Sequence, residues 1–111
     1  MVGFSAGSNL ILNLVSDSHE GDATSSDPIA RESSRPNFVA LCATWAGGQN
    51  ISKFKIDATA PPAYLFHAKD DRTAKLGFAE KVAEAWQQAG VPVELEVYET
   101  GGHMAFRACS V

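Results

Sequence analysis

A Gly-x-Ser-x-Gly pattern, Gly3-Phe4-Ser5-Ala6-Gly7, stands near the beginning of the sequence. A serine placed in this way is typical of a sharp turn that joins a strand to a helix and exposes the hydroxyl. A serine hydroxyl is a weak nucleophile until a neighbouring base accepts its proton. The pattern therefore predicts a nucleophile at Ser5 if the rest of the chain supplies a base and a group that orients it.

Two polar residues further along the chain have the right types to complete such a site. His103 follows the flexible pair Gly101-Gly102, and Asp71 follows an apolar stretch. His103 would accept the proton of Ser5, and Asp71 would accept the second imidazole N–H and fix the tautomer. We therefore predict that Ser5, Asp71 and His103 act together.

Each of these residues taken alone is weak evidence for a catalytic site, because glycine, serine and aspartate are common in turns. Their joint occurrence, in the order Ser, Asp, His and each after a predicted strand, favours a shared site. Asp70 stays open as an alternative to Asp71, because strand ends predicted from sequence are uncertain by a few residues. The main-chain N–H of Ala6, at the start of the predicted helix, would point at an oxyanion forming on the substrate.

The elements that must position these residues follow from the apolar pattern. Residues 38–45 (FVALCATW) and 63–67 (AYLFH) are continuous apolar runs of strand length, which is typical of strands buried on both faces. Residues 93–99 alternate between apolar and polar side chains, which predicts a strand nearer the sheet edge. Helical spacing predicts helices over 6–15 and 75–89. The order of strands and helices along the chain predicts an α/β fold with a small parallel sheet and flanking helices. The carboxyl ends of parallel strands share one edge of the sheet, and this is where ligands bind.

Composition excludes several classes of function. The chain has 111 residues, 45% of them hydrophobic and 20% charged, and a net charge of −4, which predicts one globular domain over residues 1–111. The absence of a basic stripe argues against a nucleic-acid partner. No segment predicts a membrane span or a signal peptide, so we expect no membrane partner and, by default, a cytoplasmic protein.

The cysteines and the remaining histidines suggest neither a metal nor a cofactor. Cys42 and Cys109 have neither metal-ligand nor Cys-x-x-Cys spacing, so Cys42 is predicted to be a small buried hydrophobe and Cys109 a free thiol. His67 ends a predicted strand and is expected to be structural. His19 lies in a polar loop and is expected to face solvent.

Five stretches in order from Gly3 to His103 resemble the C-terminal half of an α/β-hydrolase: GFSAGSNL, SSRPNFVAL, PPAYLFHAKDDRT, the helix before Ala89, and AGVPVELEVYETGGH. Within that superfamily the chain is similar to esterases of the acetyl xylan esterase and xylanase-associated type. The resemblance implies a nucleophile elbow and a catalytic triad with Ser5 as nucleophile, Asp71 as acid and His103 as base. It implies a carboxylic ester hydrolase that needs no cofactor and acts on small esters with short acyl groups, such as acetyl esters of sugars.

Two other hypotheses stay open. One is a catalytically silent or weakly active fragment that lacks the N-terminal half of the fold, and the other is a serine peptidase of the same superfamily. Full members of the resembled family have several more strands before the elbow and a loop there that supplies a second oxyanion donor. Ser8 also stands where those proteins often have a small glycine. A truncated gene product, a wrongly assigned start and a natural half-size protein would all explain these departures.

The departures also predict self-association. In the resembled fold, the strand that enters the elbow pairs with the strand over 38–45, and here only Met1-Val2 remain of it. We therefore expect 38–45 to present an unpaired apolar edge. Such edges pair readily with another chain, which predicts a homo-oligomer that covers it.

Overall fold

One parallel sheet of four strands, in the order β1-β2-β3-β4, forms the centre of the computed structural model, which describes residues 1–108. The strands are β1 (Val2–Phe4), β2 (Val39–Cys42), β3 (Ala63–Ala68) and β4 (Val93–Tyr98). The helices are α1 (Ala6–Asp17) and α2 (Leu76–Gln88), with short 3₁₀ segments at Ile51–Lys53 and Gly102–Ala108. The predicted α/β class and parallel sheet are confirmed, whereas Cys109 lies outside the described residues.

Both helices pack on one face of the sheet. Apolar side chains of alternate strand residues, including Leu41 and Leu65, meet the inner sides of the helices there. Trp86 of α2 is fully buried in this core, and its indole N–H donates a 2.8 Å hydrogen bond to the carbonyl of Pro61. The opposite face carries a smaller cluster in which Phe66 and Ala68 contact Ala105. The 3₁₀ segment after β4 therefore packs on the face that the helices leave open.

The second strand is shorter than predicted. It ends at Cys42 rather than Trp45, because Ala43 has a positive φ of 47°, a left-handed conformation that is costly for a residue with a Cβ. The apolar residues after Cys42 continue instead beside the elbow, where the N–H of Trp45 approaches the carbonyl of Ser5 at 3.4 Å. Ala43 and Thr44 are buried, and the N–H of Ala43 still donates to the carbonyl of Phe66 at 2.8 Å, whereas Trp45 is 43% exposed. The apolar run therefore continues past the paired strand and ends at the surface.

The expectation that this strand presents an unpaired edge is wrong. Although short, β1 pairs with β2 in parallel, with Val2 opposite Ala40 and Phe4 opposite Cys42. The free edge therefore belongs to β1, where the side chain of Val2 is 68% exposed.

The other predicted elements agree with the structure to within two residues. The alternation in β4 corresponds to half-buried Val93, Leu95 and Val97 with exposed glutamates between them. Gly90, at a φ of 73°, follows α2 and donates a 3.0 Å bond to the carbonyl of Gln87. Within residues 1–108, no helix is both long enough and apolar enough to cross a membrane.

Candidate active site

Ser5, His103 and Asp71 are brought into one hydrogen-bonded chain at the carboxyl edge of the sheet. The hydroxyl oxygen of Ser5 lies 2.8 Å from Nε2 of His103, and Nδ1 of the same ring lies 2.8 Å from Oδ2 of Asp71. Because an ionised carboxylate can only accept, Nδ1 carries the ring proton and Nε2 accepts from the serine hydroxyl. The arrangement has the geometry needed to move a proton from Ser5 to His103.

Ser5 occupies a strained turn between β1 and α1. Its φ of 53° and ψ of −115° lie outside the regions that residues with a Cβ ordinarily adopt. The turn is held from the main chain, since the N–H of Ser5 donates to the carbonyl of Cys42 at 2.9 Å and its carbonyl accepts from the N–H of Ser8 at 3.0 Å. Strain of this kind persists only where the surroundings over-determine it, and it clusters at functional sites.

The two glycines of the motif differ in what they contribute. A Cβ at Gly3 would lie 2.6 Å from the carbonyl oxygen of Gly7 and 2.7 Å from Cδ1 of Ile11, so β1 and α1 can approach only because Gly3 has no side chain. A Cβ at Gly7 would meet nothing within 4 Å. Of the two glycines of the motif, only Gly3 is therefore required for the close approach of β1 and α1.

Ser8 supports the elbow from beneath and was not recognised from the sequence. Its hydroxyl is fully buried and lies 2.7 Å from the carbonyl oxygen of Gly3 and 3.1 Å from that of Cys42. It thereby links α1 to β1 and β2 directly below Ser5. The sequence offered no signal for this role, since a serine in the first turn of a helix is common.

Asp71 lies in the turn after β3 with its side chain fully buried. Oδ1 accepts hydrogen bonds from the N–H groups of Thr73 at 2.9 Å and Ala74 at 2.8 Å, which leaves Oδ2 for the imidazole. Burial alone would raise the pKa of Asp71, but the hydrogen bonds from His103, Ala74 and Thr73 together outweigh it and hold the pKa below its ordinary value. The carboxylate is therefore ionised at neutral pH.

His67 holds the same turn from within. Its side chain is fully buried, and Nε2 lies 2.7 Å from the carbonyl oxygen of Ala74. Because a carbonyl can only accept, this nitrogen is protonated. The same nitrogen is 3.6 Å from Oδ2 of Asp71. His67 therefore has a structural position behind the acid, while His19 is exposed in the polar loop, as the sequence predicts for each.

His103 follows two glycines in left-handed conformations, and its side chain is 21% exposed. The ring of Phe4 packs against the imidazole with 5.0 Å between ring centroids. Asp70, the alternative acid, binds main-chain N–H groups of the glycine pair instead of the imidazole. The structure thus places Asp71, rather than Asp70, beside the base.

The N–H of Ala6, proposed as an oxyanion donor, belongs to the first residue of α1. The N–H groups of a first helical turn have no partner within the helix, so this one is available to a ligand beside Ser5. Among residues 1–108, no three His, Cys, Asp or Glu side chains converge in a way that could hold a metal ion.

Comparison with known proteins gives the class of fold. No family model matches the chain, and no curated protein is significantly similar to it in sequence. A solved acetyl ester-xyloside bifunctional hydrolase from Caldicellulosiruptor lactoaceticus matches with a TM-score of 0.85 and 25% identity, over 99% of this chain and 49% of the other. MGS-M1, an α/β hydrolase enzyme from a Medee basin deep-sea metagenome library, matches with a TM-score of 0.68 and 25% identity, over 92% of this chain and 38% of the other.

A thermophilic esterase from Thermogutta terrifontis shares the fold at a TM-score of 0.67 and 22% identity, over 96% of this chain and 50% of the other. The chain therefore spans about half the length of the solved structures it matches. It has the α/β-hydrolase fold and corresponds to the C-terminal half of that fold.

Proposed function

We propose that the chain carries the catalytic triad of a serine hydrolase that cleaves carboxylic esters with short acyl groups, acetyl esters of sugars among them. The observation that carries the proposal is the continuous pair of 2.8 Å contacts from Ser5 through His103 to Asp71. Among the described residues, Ser5 is the serine that hydrogen-bonds to a base which is itself oriented by a carboxylate. Proton transfer through such a chain is what makes a serine nucleophilic at neutral pH.

In the first half of the reaction, the ester is cleaved and its acyl group moves to the enzyme. The oxygen of Ser5 bonds to the acyl carbon while Nε2 of His103 takes the hydroxyl proton, giving a tetrahedral oxyanion. The bond to the alcohol oxygen then breaks, and the imidazolium returns the proton to that oxygen. The alcohol leaves, and the acyl group remains on Ser5.

In the second half, water takes the place of the alcohol. His103 accepts a proton from water as its oxygen bonds to the acyl carbon, and Nε2 then protonates the oxygen of Ser5 as the acyl bond breaks. The carboxylic acid leaves and the enzyme is restored. Throughout, ionised Asp71 stabilises the imidazolium, and the N–H of Ala6 donates to the oxyanion.

The structural neighbours support an ester as the substrate. One is described as an acetyl ester-xyloside hydrolase, which supports acetylated sugars as the substrate class. Structures of the Thermogutta esterase hold propionate and butyrate, which are short carboxylates of the size that we propose for the acyl group. That esterase is also described as phosphorylated by paraoxon, so the same reagent is a suitable probe for Ser5.

The test combines turnover with covalent labelling. Hydrolysis of 4-nitrophenyl acetate by the purified chain is compared with that by Ser5→Ala, His103→Ala and Asp71→Asn. Ser52→Ala is the matched control, because Ser52 is an exposed serine in the 3₁₀ turn before β3. Paraoxon should add its phosphoryl group to Ser5, as read by mass spectrometry of the peptides, and should not label Ser52.

We expect Ser5→Ala and His103→Ala each to remove nearly all activity, and the double variant to be little worse, because residues of one catalytic unit are not additive. Asp71→Asn should lower the rate by orders of magnitude through loss of the correct tautomer. If Ser5→Ala retains the parent rate, or if paraoxon labels other serines equally, the proposal fails and the catalytically silent alternative takes its place.

A further inference from the structure

Asp70 makes two hydrogen bonds that the proposed reaction does not use. Its Oδ1 accepts from the N–H of Gly102 at 2.7 Å, and its Oδ2 accepts from the N–H of Gly101 at 3.2 Å. These two N–H groups belong to the residues directly before His103. One exposed carboxylate thus binds the main chain that carries the base, and its neighbour Asp71 binds the ring of the same base.

The location of these bonds is set by the end of the sheet. The N–H of Lys69 donates to the carbonyl of Tyr98 at 2.8 Å, just beyond the last paired residues of β3 and β4. Beyond this bond, Lys69 and Glu99 pair through their side chains at 2.5 Å. Asp70 spans the remaining gap through the N–H groups of Gly101 and Gly102. It connects the turn that carries the acid to the turn that carries the base.

The glycine pair is shaped to receive a carboxylate. Gly101 and Gly102 have φ angles of 131° and 61°, so their consecutive N–H groups both reach Asp70. Successive main-chain N–H groups in such turns form concave anion-binding sites. A Cβ at Gly101 would also lie 2.7 Å from Cβ of Ala105, so the segment tolerates no larger residue there.

We propose that Asp70 is a positioning residue that anchors the segment before His103, so that the imidazole stays in line between Ser5 and Asp71. Glycine gains more freedom than any other residue when it is released, and two in succession make a flexible support for the base. The paired bonds from Asp70 remove that freedom. The effect on rate rests on the proposed function, whereas the effect on the imidazole does not.

The first experiment reads the imidazole directly. The chain contains only three histidines, so ¹⁵N spectra of the ring nitrogens resolve His103 once His103→Ala has assigned its signals. The intact protein should show the single Nδ1–H tautomer set by Asp71. Asp70→Ala should move His103 toward the mixed tautomers of a free histidine, and Asp70→Asn should move it less, because one amide oxygen can keep the bond to Gly102.

Asp57→Ala is the matched control. The Asp57 carboxylate accepts two hydrogen bonds from Thr59, at 2.9 Å from N and 2.5 Å from Oγ1, but it lies in the loop before β3 at the opposite edge of the sheet. This variant should leave the spectrum of His103 unchanged. Circular dichroism of each variant confirms that the sheet and helices are retained.

The second experiment measures hydrolysis of 4-nitrophenyl acetate by the same variants. We expect Asp70→Ala to lower kcat roughly 10- to 100-fold with little change in KM, since displacement of a catalytic group by about 1 Å can cost as much as 100-fold. Asp70→Asn should recover part of the loss, and Asp57→Ala should match the parent.

The outcomes separate this proposal from the proposed function. If the parent shows no hydrolysis but the His103 tautomer depends on Asp70, the positioning role stands and the esterase proposal fails. Mixed tautomers in the parent, an unchanged His103 spectrum in Asp70→Ala, or an equal effect of Asp70→Asn and Asp70→Ala would each overturn the positioning role.

Discussion

The two glycines of the Gly-x-Ser-x-Gly motif should respond oppositely to the same substitution. In Gly3→Ala, the added methyl would lie 2.6 Å from the carbonyl oxygen of Gly7 and 2.7 Å from its carbonyl carbon. These are main-chain atoms, so no side-chain rotation relieves the contact and β1 must move away from α1. In Gly7→Ala, the methyl meets nothing within 4 Å, and Gly7 lies in the first turn of α1 with no positive φ.

The magnitudes follow from packing and helix propensity. Overpacking of a tight contact costs about 1–3 kcal/mol in the free energy of unfolding, and Gly3→Ala should fall in or above that range. Alanine is favoured over glycine inside a helix by roughly 0.5–1 kcal/mol, so Gly7→Ala should be neutral or stabilising. The gap between the two variants is therefore about 1–4 kcal/mol for the same chemical change.

Urea unfolding followed by tryptophan fluorescence measures this gap, because Trp86 is fully buried in the core. Gly77→Ala is a further control, since a Cβ there also meets nothing within 4 Å. The reasoning is refuted if Gly7→Ala is destabilised as much as Gly3→Ala, or if Gly3→Ala unfolds at the parent urea concentration. Either result would mean that the contact between β1 and α1 is not as tight as described.

Three further predictions concern the support of the site, its pH dependence and assembly. Ser8→Ala should lower the free energy of unfolding by about 0.5–1.5 kcal/mol in urea, because it removes the buried hydroxyl bond to the carbonyl of Gly3, whereas the carbonyl of Cys42 keeps the N–H of Ser5. Because the native pKa of Asp71 lies below the ordinary 3.8, its contribution to stability is fully present above the ordinary pKa and is lost as the pH falls through the native pKa. Unfolding titrations should therefore show the parent losing stability below pH 3.8 more steeply than Asp71→Asn, and parallel curves would contradict this. Light scattering should show a homo-oligomer that covers the free edge of β1, where Val2 is 68% exposed. Val2→Lys should weaken the oligomer, whereas Ile29→Lys, in the polar loop, should not. A monodisperse monomer at high concentration would contradict this prediction.

The elements of the fold could be predicted because their signals are local. Apolar runs and alternation located β3 and β4 to within one residue, and the helical pattern with Gly90 located α2 equally well. The end of β2 could not be predicted, because alanine has no local preference for the left-handed conformation that Ala43 adopts. An apolar run predicts burial, and here the buried residues Ala43 and Thr44 lie beyond the last paired residue of β2.

For the site, the residue types could be predicted from the sequence, but the contacts that depend on the folded surroundings could not. The order of Ser5, Asp71 and His103 after three strands was enough to predict that they meet. The choice between Asp71 and Asp70 depended on where β3 ends, which a single sequence fixes only to within a few residues. The role of Ser8 depends on two carbonyl groups from different strands, and no local pattern encodes such a contact.

The hydrogen bond between Ser5 and His103 joins residues that are 98 positions apart in the chain. Every strand that leads from one to the other pairs in parallel with its neighbour, so each pairing closes a long loop before it gains any contacts. A chain emerging from the ribosome would thus display Ser5 long before the base can reach it. The serine gains its partner only when β4 has docked, so covalent labelling of Ser5 would report completion of folding rather than the formation of any single element.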